Sequence, residues 1–198
     1  MPTLRNRYFA LRHGESTANT AGVIISDPII GISNYGLSDI GIKQVENVIK
    51  LADLLSAPIA IYSSDFLRTR ETAQIIHSGL NIQKPIVFTP LLRERFFGSL
   101  NGSKDKHYQN VWDLDASNPN HTEFDVESVN DVLARTLNLI RSTEKHYNAT
   151  SIVLVAHGDI LQILQTWFEG VNPAQHRQLS HLQTPELRRY KQSLKKDD

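Results

Sequence analysis

Arginine and histidine side chains stand just after three short apolar runs of the chain. Arg12 and His13 follow the first run, Arg68 comes shortly after the second, and His157 follows the third. A guanidinium group stays charged and presents a planar fork of N–H donors that fits phosphate oxygens. An imidazole changes its protonation state near neutral pH and can act as a nucleophile. These residue types at these places predict a site that binds an anion and acts on it.

Strand-like runs that alternate with helical patterns are expected to bring these residues together. Strands are predicted over Tyr8–Leu11, Ile59–Tyr62, Ile86–Phe88 and Ser151–Ala156. The last run shows no polar alternation, which is typical of a strand buried on both faces of a parallel sheet. The alternation predicts an α/β protein of three layers, α/β/α, with a mainly parallel central sheet. Active sites in such sheets lie at the carboxyl ends of the strands, so the reactive residues should share one edge.

The remaining segments divide into helices and loops. Helices are predicted after Ser38 until Ser56-Ala57-Pro58, after Ser63-Ser64-Asp65 until Gly79, from Ser128 to about Tyr147, and from Ile160 to Gly170. Loops are predicted at Ser26–Gly36 and over most of Leu91–Asn120, with local helix around Tyr108–Leu114. The tail, residues 171–198, shows no assignable pattern and no clear final strand.

Composition excludes several classes of protein. The 198 residues suit a single domain, and the 21 basic and 21 acidic residues balance, which argues against nucleic-acid binding. The absence of cysteine excludes disulfides, thiolate metal sites and a cysteine nucleophile. No apolar run approaches the roughly 20 residues of a membrane helix, and the segment Met1–Arg7 is too short and polar for a signal peptide. We therefore expect a soluble cytoplasmic protein with no membrane or nucleic-acid partner, and the oligomeric state stays open.

Four blocks in order carry a more specific signal. They are Leu11-Arg12-His13-Gly14-Glu15-Ser16-Thr17-Ala18-Asn19, Tyr62-Ser63-Ser64-Asp65-Phe66-Leu67-Arg68-Thr69-Arg70-Glu71-Thr72-Ala73, Leu92-Arg93-Glu94-Arg95-Phe96-Phe97-Gly98 and Val155-Ala156-His157-Gly158. Together they resemble the motifs of the histidine phosphatase superfamily in its phosphoglycerate-mutase-like branch. The resemblance spans roughly Tyr8 to Gly170 and implies the phosphoglycerate-mutase-like fold.

The resemblance also implies catalytic roles. His13 would attack a phosphoryl group through Nε2, with Nδ1–H held by a backbone carbonyl, and become a phosphohistidine. Arg12, Arg68 and a protonated His157 would neutralise the phosphate oxygens. Glu94 would protonate the leaving oxygen and then activate water, which requires a raised pKa.

Neutral donors should complete the phosphate site, and we expect no cofactor. Asn19 and the backbone near Gly158 could donate to the anion, because glycines at 14 and 158 let the backbone approach it. Arginines replace the metal cation that other phosphatases use, and the sequence offers no carboxylates or histidine pairs at the spacing of metal ligands.

Other residues receive plainer interpretations. Glu15 is expected to be structural, Arg70 to lie on the surface, and Trp112 to pack in the core or against a lid. Arg95 either meets a second anionic group of the substrate or is solvated. Six further histidines are expected at the surface: His77, His107, His121, His146, His176 and His181.

Substrate specificity should reside in three places: Gly22–Gly36, Arg93 with Arg95, and the insert Gly98–Asp125. Within the first, Val23-Ile24-Ile25 and Ile29-Ile30 could line the mouth of the site. The chain has Val126-Glu127-Ser128 where the family often has Gly-Glu-Ser, which puts a substrate-binding role of Glu127 in doubt.

The short insert favours hydrolysis over transfer to a second acceptor, because little protein is available to exclude water. We therefore expect a phosphomonoesterase acting on small phosphorylated metabolites; a peptide substrate would need an open mouth of the site. Two alternatives stay open. A phosphoglycerate-type mutase would return the phosphoryl group to an isomeric acceptor. A non-catalytic regulatory module would only recognise phosphate, but such a module needs neither a nucleophile nor an acid.

Overall fold

A five-stranded sheet forms the centre of the molecule. The computed structural model describes residues 3–50, 55 and 58–192. The strands are β1 (Arg7–Arg12), β2 (Ile59–Ser63), β3 (Val87–Phe88), β4 (Ser151–Ala156) and β5 (Leu187–Arg189). They stand in the order β3-β2-β4-β1-β5, and all neighbours are parallel except β5, which runs antiparallel to β1. The predicted class, α/β with a mainly parallel sheet, is confirmed.

Helices cover both faces of this sheet. The described residues form α1 (Thr17–Ala21), α2 (Pro28–Gly31), α3 (Asp39–Ile49), α4 (Leu67–Gly79), α5 (Tyr108–Ser117), α6 (Val129–His146) and α7 (Gly158–Glu169), of which α3, α4, α6 and α7 pack on the sheet. Phe9 and Leu11 of β1 pack on the face covered by α3 and α4. Tyr8 and Ala10 pack on the opposite face, against α6 and α7. Since successive strand side chains point to opposite faces, β1 and its neighbours serve both cores.

Local sequence features explain where the main elements begin and end. All six residues of β4 are buried, as its unbroken apolar run predicts for a central parallel strand. Ser128 caps α6, because its hydroxyl accepts the backbone N–H of Asp131. Gly170 ends α7 in the left-handed conformation that glycine adopts without strain.

Two predictions differ from the structure, and a third falls largely on residues that the structure does not describe. The loop Ser26–Gly36 contains the short helix α2, which Asp27 caps. Helix α4 begins at Leu67, with Phe66 in the cap position, because the Ser64 and Asp65 side chains have other partners. Helix α3 ends at Ile49, and the predicted continuation to Ser56-Ala57-Pro58 falls largely outside the described residues.

The C-terminal segment differs most from its prediction. A 3-10 helix over Pro173–Gln178 is followed by β5, so the expectation of no final strand is wrong. Only three residues form β5, which is too short for a visible alternation of apolar and polar side chains. The predicted local helix near Tyr108 is confirmed as α5. No helix in the described ranges is long and apolar enough to cross a bilayer.

Candidate active site

The residues that directly follow three of the strands lie together at one edge of the sheet. His13 follows β1, Ser64 follows β2 and His157 follows β4. Backbone bonds continue the ladder past the strand ends, from His13 N–H to Ala156 O and from Ser64 N–H to Val155 O. A cavity of about 390 Å³ opens above this edge. Its lining includes Arg12, His13, Ser16, Asn19, Val23, Ile25, Arg68, Glu94, Tyr108, Trp112, Gly158, Arg177 and His181.

His13 lies at the floor of the cavity and is only 3% exposed. Its Nδ1 lies 2.7 Å from the carbonyl oxygen of Gly14, and Arg68 Nε–H donates to its Nε2 at 3.2 Å. These partners fix the tautomer, with the proton on Nδ1 and the lone pair on Nε2. Burial, together with Arg68 and Arg12, holds the pKa of His13 well below its ordinary value. The ring is therefore neutral at neutral pH and can act as a nucleophile through Nε2.

Arg12 and Arg68 present buried donors for which the described residues supply no acceptor. One nitrogen of Arg12, Nη1, donates to Leu182 O and to His181 Nε2, both at 2.7 Å. Arg68 Nη2 donates to Ile25 O at 3.1 Å. No acceptor among the described residues pairs with Arg12 Nε or Arg68 Nη1, although both atoms are buried. A buried polar group left unpaired costs about 1–3 kcal/mol, so such donors favour an anion in the cavity.

Glu94 lies between the guanidinium group of Arg68 and the ring of His157. Its Oε2 is 3.7 Å from Arg68 Nη2 and 3.6 Å from His157 Nδ1, while Oε1 accepts the backbone N–H of Arg95. Burial raises the pKa of Glu94 to about 7, although Arg68 opposes the shift. Both protonation states of this carboxyl group are therefore accessible near neutral pH, as an acid that later acts as a base requires.

Ser64 orients His157, a pairing that the sequence did not reveal. His157 is fully buried, and its Nε2 lies 3.0 Å from Ser64 Oγ. That hydroxyl accepts the N–H of Phe66, and His157 Nε2 is the acceptor found for its own proton among the described residues; this arrangement places the ring proton on Nδ1. Burial, then Arg68, lowers the pKa of His157 well below its ordinary value. The surroundings thus favour a neutral ring, whose Nδ1–H is a donor beside Glu94.

Asn19 and Gly158, the predicted neutral donors, both line the cavity. The carboxamide oxygen of Asn19 accepts from Ser16 in the cap of α1, which leaves the amide nitrogen as the available donor. A Cβ on Gly158 would lie 3.2 Å from Nε of Arg12, so this glycine lets the guanidinium group pack closely. At Gly14 a Cβ would lie 2.7 Å from Gly41 O, so the lack of a side chain at this position lets α3 pack closely.

Neither interpretation of Arg95 is correct. Its side chain is fully buried and forms a bidentate ion pair with Asp115, at 2.6 and 2.8 Å. Its Nε donates to the carbonyl of Glu127, and the Glu127 carboxylate pairs with Arg135. Arg95 and Glu127 therefore anchor the segment that carries Glu94, in line with the doubt about a substrate role of Glu127.

Arg93 and part of the predicted mouth lie at a second cavity of about 520 Å³. Arg93 pairs with Asp65 at 2.7 Å there, and Ile29 is 84% exposed at the same place. Glu94 borders both cavities. Among the apolar residues proposed for the mouth of the active site, Val23 and Ile25 line the first cavity, whereas Ile24 is buried in a small core under the insert.

Two of the six histidines expected at the surface are buried, and a third, His181, is partly buried in the wall of the cavity. His181 lines the cavity and contacts Arg12, while His121 and His176 are buried beside Asp115. His77, His107 and His146 do not line the cavity. No sequence signal distinguishes the histidines at the surface from the others, because His176 and His181 stand in a tail without periodicity.

Trp112 forms a wall of the cavity rather than part of a core. It stacks on Tyr108 with 5.3 Å between ring centroids, and its Nε1–H donates to Asp159. The guanidinium carbon of Arg177 lies 3.6 Å from the centroid of Trp112.

Glu15 has a structural role, as predicted. Its carboxylate accepts a hydrogen bond from the hydroxyl of Ser38, the residue that caps α3. Within the residues described, no three histidine or acidic side chains form a group suited to a metal ion.

Comparison with known proteins finds a family model that covers most of the chain. The model of the histidine phosphatase superfamily (branch 1) matches residues 8–193. A metal-independent phosphoserine phosphatase from Arabidopsis thaliana is 28% identical over 160 residues, which cover 78% of this chain and 65% of that protein. The chain thus spans slightly less than two thirds of that relative's length.

Two further relatives resemble the chain over most of their length. A probable phosphatase from Schizosaccharomyces pombe is 26% identical over 170 residues, which cover 82% of this chain and 73% of that protein. The solved structure of a mycobacterial glucosyl-3-phosphoglycerate phosphatase superimposes with a TM-score of 0.74 at 20% identity, covering 92% of this chain and 88% of that one. At that identity, the superposition establishes the shared fold.

Proposed function

This chain belongs to branch 1 of the histidine phosphatase superfamily, and we propose that it is a metal-independent phosphomonoesterase that uses His13 as its nucleophile. One observation carries the proposal. Three buried nitrogens, Arg12 Nε, Arg68 Nη1 and His157 Nδ1, have no hydrogen-bond partner in the described part of the chain. Arg12 and Arg68 line the cavity, and the buried ring of His157 lies 5.3 Å from the ring of His13. The lone pair of His13, on Nε2, lies beside Arg68, whose Nε–H it accepts. A tetrahedral phosphate would give each donor an acceptor.

The first step transfers the phosphoryl group to the protein. Nε2 of His13 attacks phosphorus in line, a P–N bond forms, and the bond from phosphorus to the ester oxygen breaks. Arg12, Arg68 and His157 stabilise the charge on the equatorial oxygens. Protonated Glu94 gives its proton to the departing oxygen, which leaves as an alcohol.

The second step regenerates the free histidine. Ionised Glu94 takes a proton from a water molecule as that water attacks phosphorus, and the P–N bond breaks. Inorganic phosphate and neutral His13 are the products. A carboxyl group with a pKa of about 7 suits both duties, because it can hold and release a proton near neutral pH.

Small phosphorylated metabolites are the substrates that fit best. A cavity of about 390 Å³ is of the size that surrounds a small molecule. The relatives point the same way, since the names of two of them specify phosphoserine and glucosyl-3-phosphoglycerate as substrates. The short insert between Gly98 and Asp125 favours water over an isomeric acceptor in the second step.

Phosphate release from p-nitrophenyl phosphate in the presence of a chelator tests the proposal. We expect turnover by the parent, and a loss of roughly 10³-fold or more in His13→Ala, because covalent catalysis then has no nucleophile. The matched control is His146→Ala, which removes an exposed histidine away from the cavity. Equal rates in His13→Ala and the parent would refute the proposal. With 3-phosphoglycerate as substrate, formation of the 2-isomer faster than free phosphate would favour the mutase.

A further inference from the structure

A pre-ordered arginine forms the wall of the cavity away from the strand ends. Arg177 is carried by the 3-10 helix Pro173–Gln178, and its guanidinium group lies over the Trp112 ring at 3.6 Å. Trp112 is itself held by stacking on Tyr108 and by its hydrogen bond to Asp159. Because the ring under it is fixed, the guanidinium group loses little further freedom when it binds a ligand.

Arg177 lines the cavity and has N–H donors that are not used within the described residues. Its Nη1 donates to Gln162 Oε1 at 2.5 Å, whereas no acceptor in the described ranges pairs with its Nε or Nη2. The side chain is 28% exposed and lines the cavity, and Lys106 adds a second cation to the same lining. Nε and Nη2 lie on one edge of a guanidinium plane, the edge that binds the two oxygens of a carboxylate side by side.

The acidic residues of this cavity do not occupy that edge. Asp159 lies closest, but its Oδ1 accepts from Trp112 and is 3.6 Å from His176 Nε2, and its Oδ2 is 3.5 Å from Arg95. It is 3.8 Å from Nη1 of Arg177, the nitrogen already bonded to Gln162. Asp105 lies at the Gly22 side of the cavity. Arg177 therefore keeps its charge available to a ligand.

One imidazole ring sets the spacing between Arg177 and the phosphate end. His181 Nε2 is 2.7 Å from Arg12 Nη1, and His181 Nδ1 is 3.5 Å from Arg177 Nη1. Burial, together with Arg12 and Arg177, lowers the pKa of His181 to about 4, so the ring is a neutral spacer. Because one imidazole ring separates Nη1 of Arg12 from Nη1 of Arg177, the two guanidinium groups are close enough for one small ester to contact both.

We propose that Arg177 binds a carboxylate on the alcohol portion of the substrate and selects phosphate esters of short hydroxy acids. The inference rests on the proposed function and narrows its substrate class. It also moves the second-anion role from Arg95, which is fully paired, to a residue of the C-terminal segment. Arg177 acts on specificity, since it touches the leaving group rather than the phosphorus atom.

Two esters that differ in one group provide the test. 3-Phosphoglycerate carries a carboxylate where glycerol 3-phosphate carries a hydroxymethyl group. We expect the parent to prefer 3-phosphoglycerate in kcat/KM by about 10- to 100-fold, the range of a charge-assisted hydrogen-bonded pair. In Arg177→Gln the ratio of the two kcat/KM values should fall close to one. Arg177→Lys, which keeps the charge but not the fork, should fall between them.

The ratio separates specificity from a merely structural role, because a distorted cavity would slow both esters alike. Arg141→Gln, which removes an exposed arginine on α6, should keep the parent ratio. A parent that hydrolyses both esters equally would overturn the inference and leave the proposed function intact.

A binding measurement tests whether Arg177 recognises the carboxylate even if the protein hydrolyses neither ester. In His13→Ala, calorimetry should show tighter binding of 3-phosphoglycerate than of glycerol 3-phosphate, and adding Arg177→Gln should remove the difference. If the parent hydrolyses no ester but this difference is found, the proposed function fails and the inference stands. Equal dissociation constants for the two ligands in His13→Ala would overturn the inference.

Discussion

Arg68 and Arg95 are buried to a similar extent, 4% and 0% exposed, but their surroundings differ. Every nitrogen of Arg95 has a partner, with Nη1 and Nη2 on the two oxygens of Asp115 and Nε on the carbonyl of Glu127. Arg68 has Nη1 unpaired, and its nearest carboxylate oxygen, on Glu94, lies 3.7 Å away. A buried charge is costly unless it is paired. Because all its nitrogens have protein partners, Arg95 is structural. Because Nη1 of Arg68 has no partner among the described residues, Arg68 is suited to bind an anion.

The same substitution at both positions should separate the two roles. We expect Arg68→Met to lower kcat/KM for phosphate esters by roughly 10³-fold, since it removes donors from a charge that develops in the transition state. Its melting temperature should equal or exceed that of the parent, because a poorly paired buried charge is gone. Phosphate release and thermal unfolding measure the two effects. Activity within tenfold of the parent would contradict the role of Arg68.

Arg95→Met should show the opposite pattern. Removing one partner of a buried ion pair costs about 3–5 kcal/mol, so the free energy of unfolding in urea should fall by that amount. The double variant Arg95→Met, Asp115→Leu should recover most of the loss, since the stranded carboxylate is also removed. If Arg95→Met unfolds at the same urea concentration as the parent, the ion pair does not hold this region together.

The carboxyl group beside Arg68 should contribute somewhat less than the arginine. We expect Glu94→Gln to slow hydrolysis of an alkyl phosphate by roughly 10²-fold, the usual contribution of a general acid. The loss should be smaller with p-nitrophenyl phosphate, whose leaving group departs without a proton. Equal losses on the two esters would argue against proton transfer from Glu94.

The pH dependence gives the smallest effect and tests the same group. Burial raises the pKa of Glu94 to about 7, and the acid acts in its protonated form. The rate on an alkyl phosphate should therefore be highest below this pH and fall up to tenfold per unit as the pH rises through about 7 and above. Glu94→Gln should lack this limb. A limb that persists unchanged in Glu94→Gln would assign it to another group.

The site residues around Arg68 could be predicted from the sequence better than the structural partners of Arg95. His13, Arg68 and His157 could be placed because each stands at or near the end of an apolar run, and parallel strands bring such ends together. Glu94 follows no strand of this kind and was found only through the resemblance to a family. The partners of Arg95 were missed because Asp115, Asp159 and Glu127 are distant in sequence, and pairing between distant charges leaves no local pattern.

The C-terminal segment was the least predictable part. His181 and Arg177 line the cavity from a stretch that has a short 3-10 helix and three residues of strand. Such elements are too short for a periodicity of 2 or 3.6 residues to emerge. Their position depends on tertiary contacts, such as the bond from Gln162 Nε2 to Leu179 O.

The central claim is that the phosphoryl group passes through His13. Rapid quenching of the parent with a ³²P-labelled ester, followed by peptide mapping, tests it most directly. We expect base-stable, acid-labile label on the peptide that contains His13 within the first turnover, and no label in His13→Ala. Multiple turnovers of the parent without any labelled histidine, or label that persists in His13→Ala, would contradict the account.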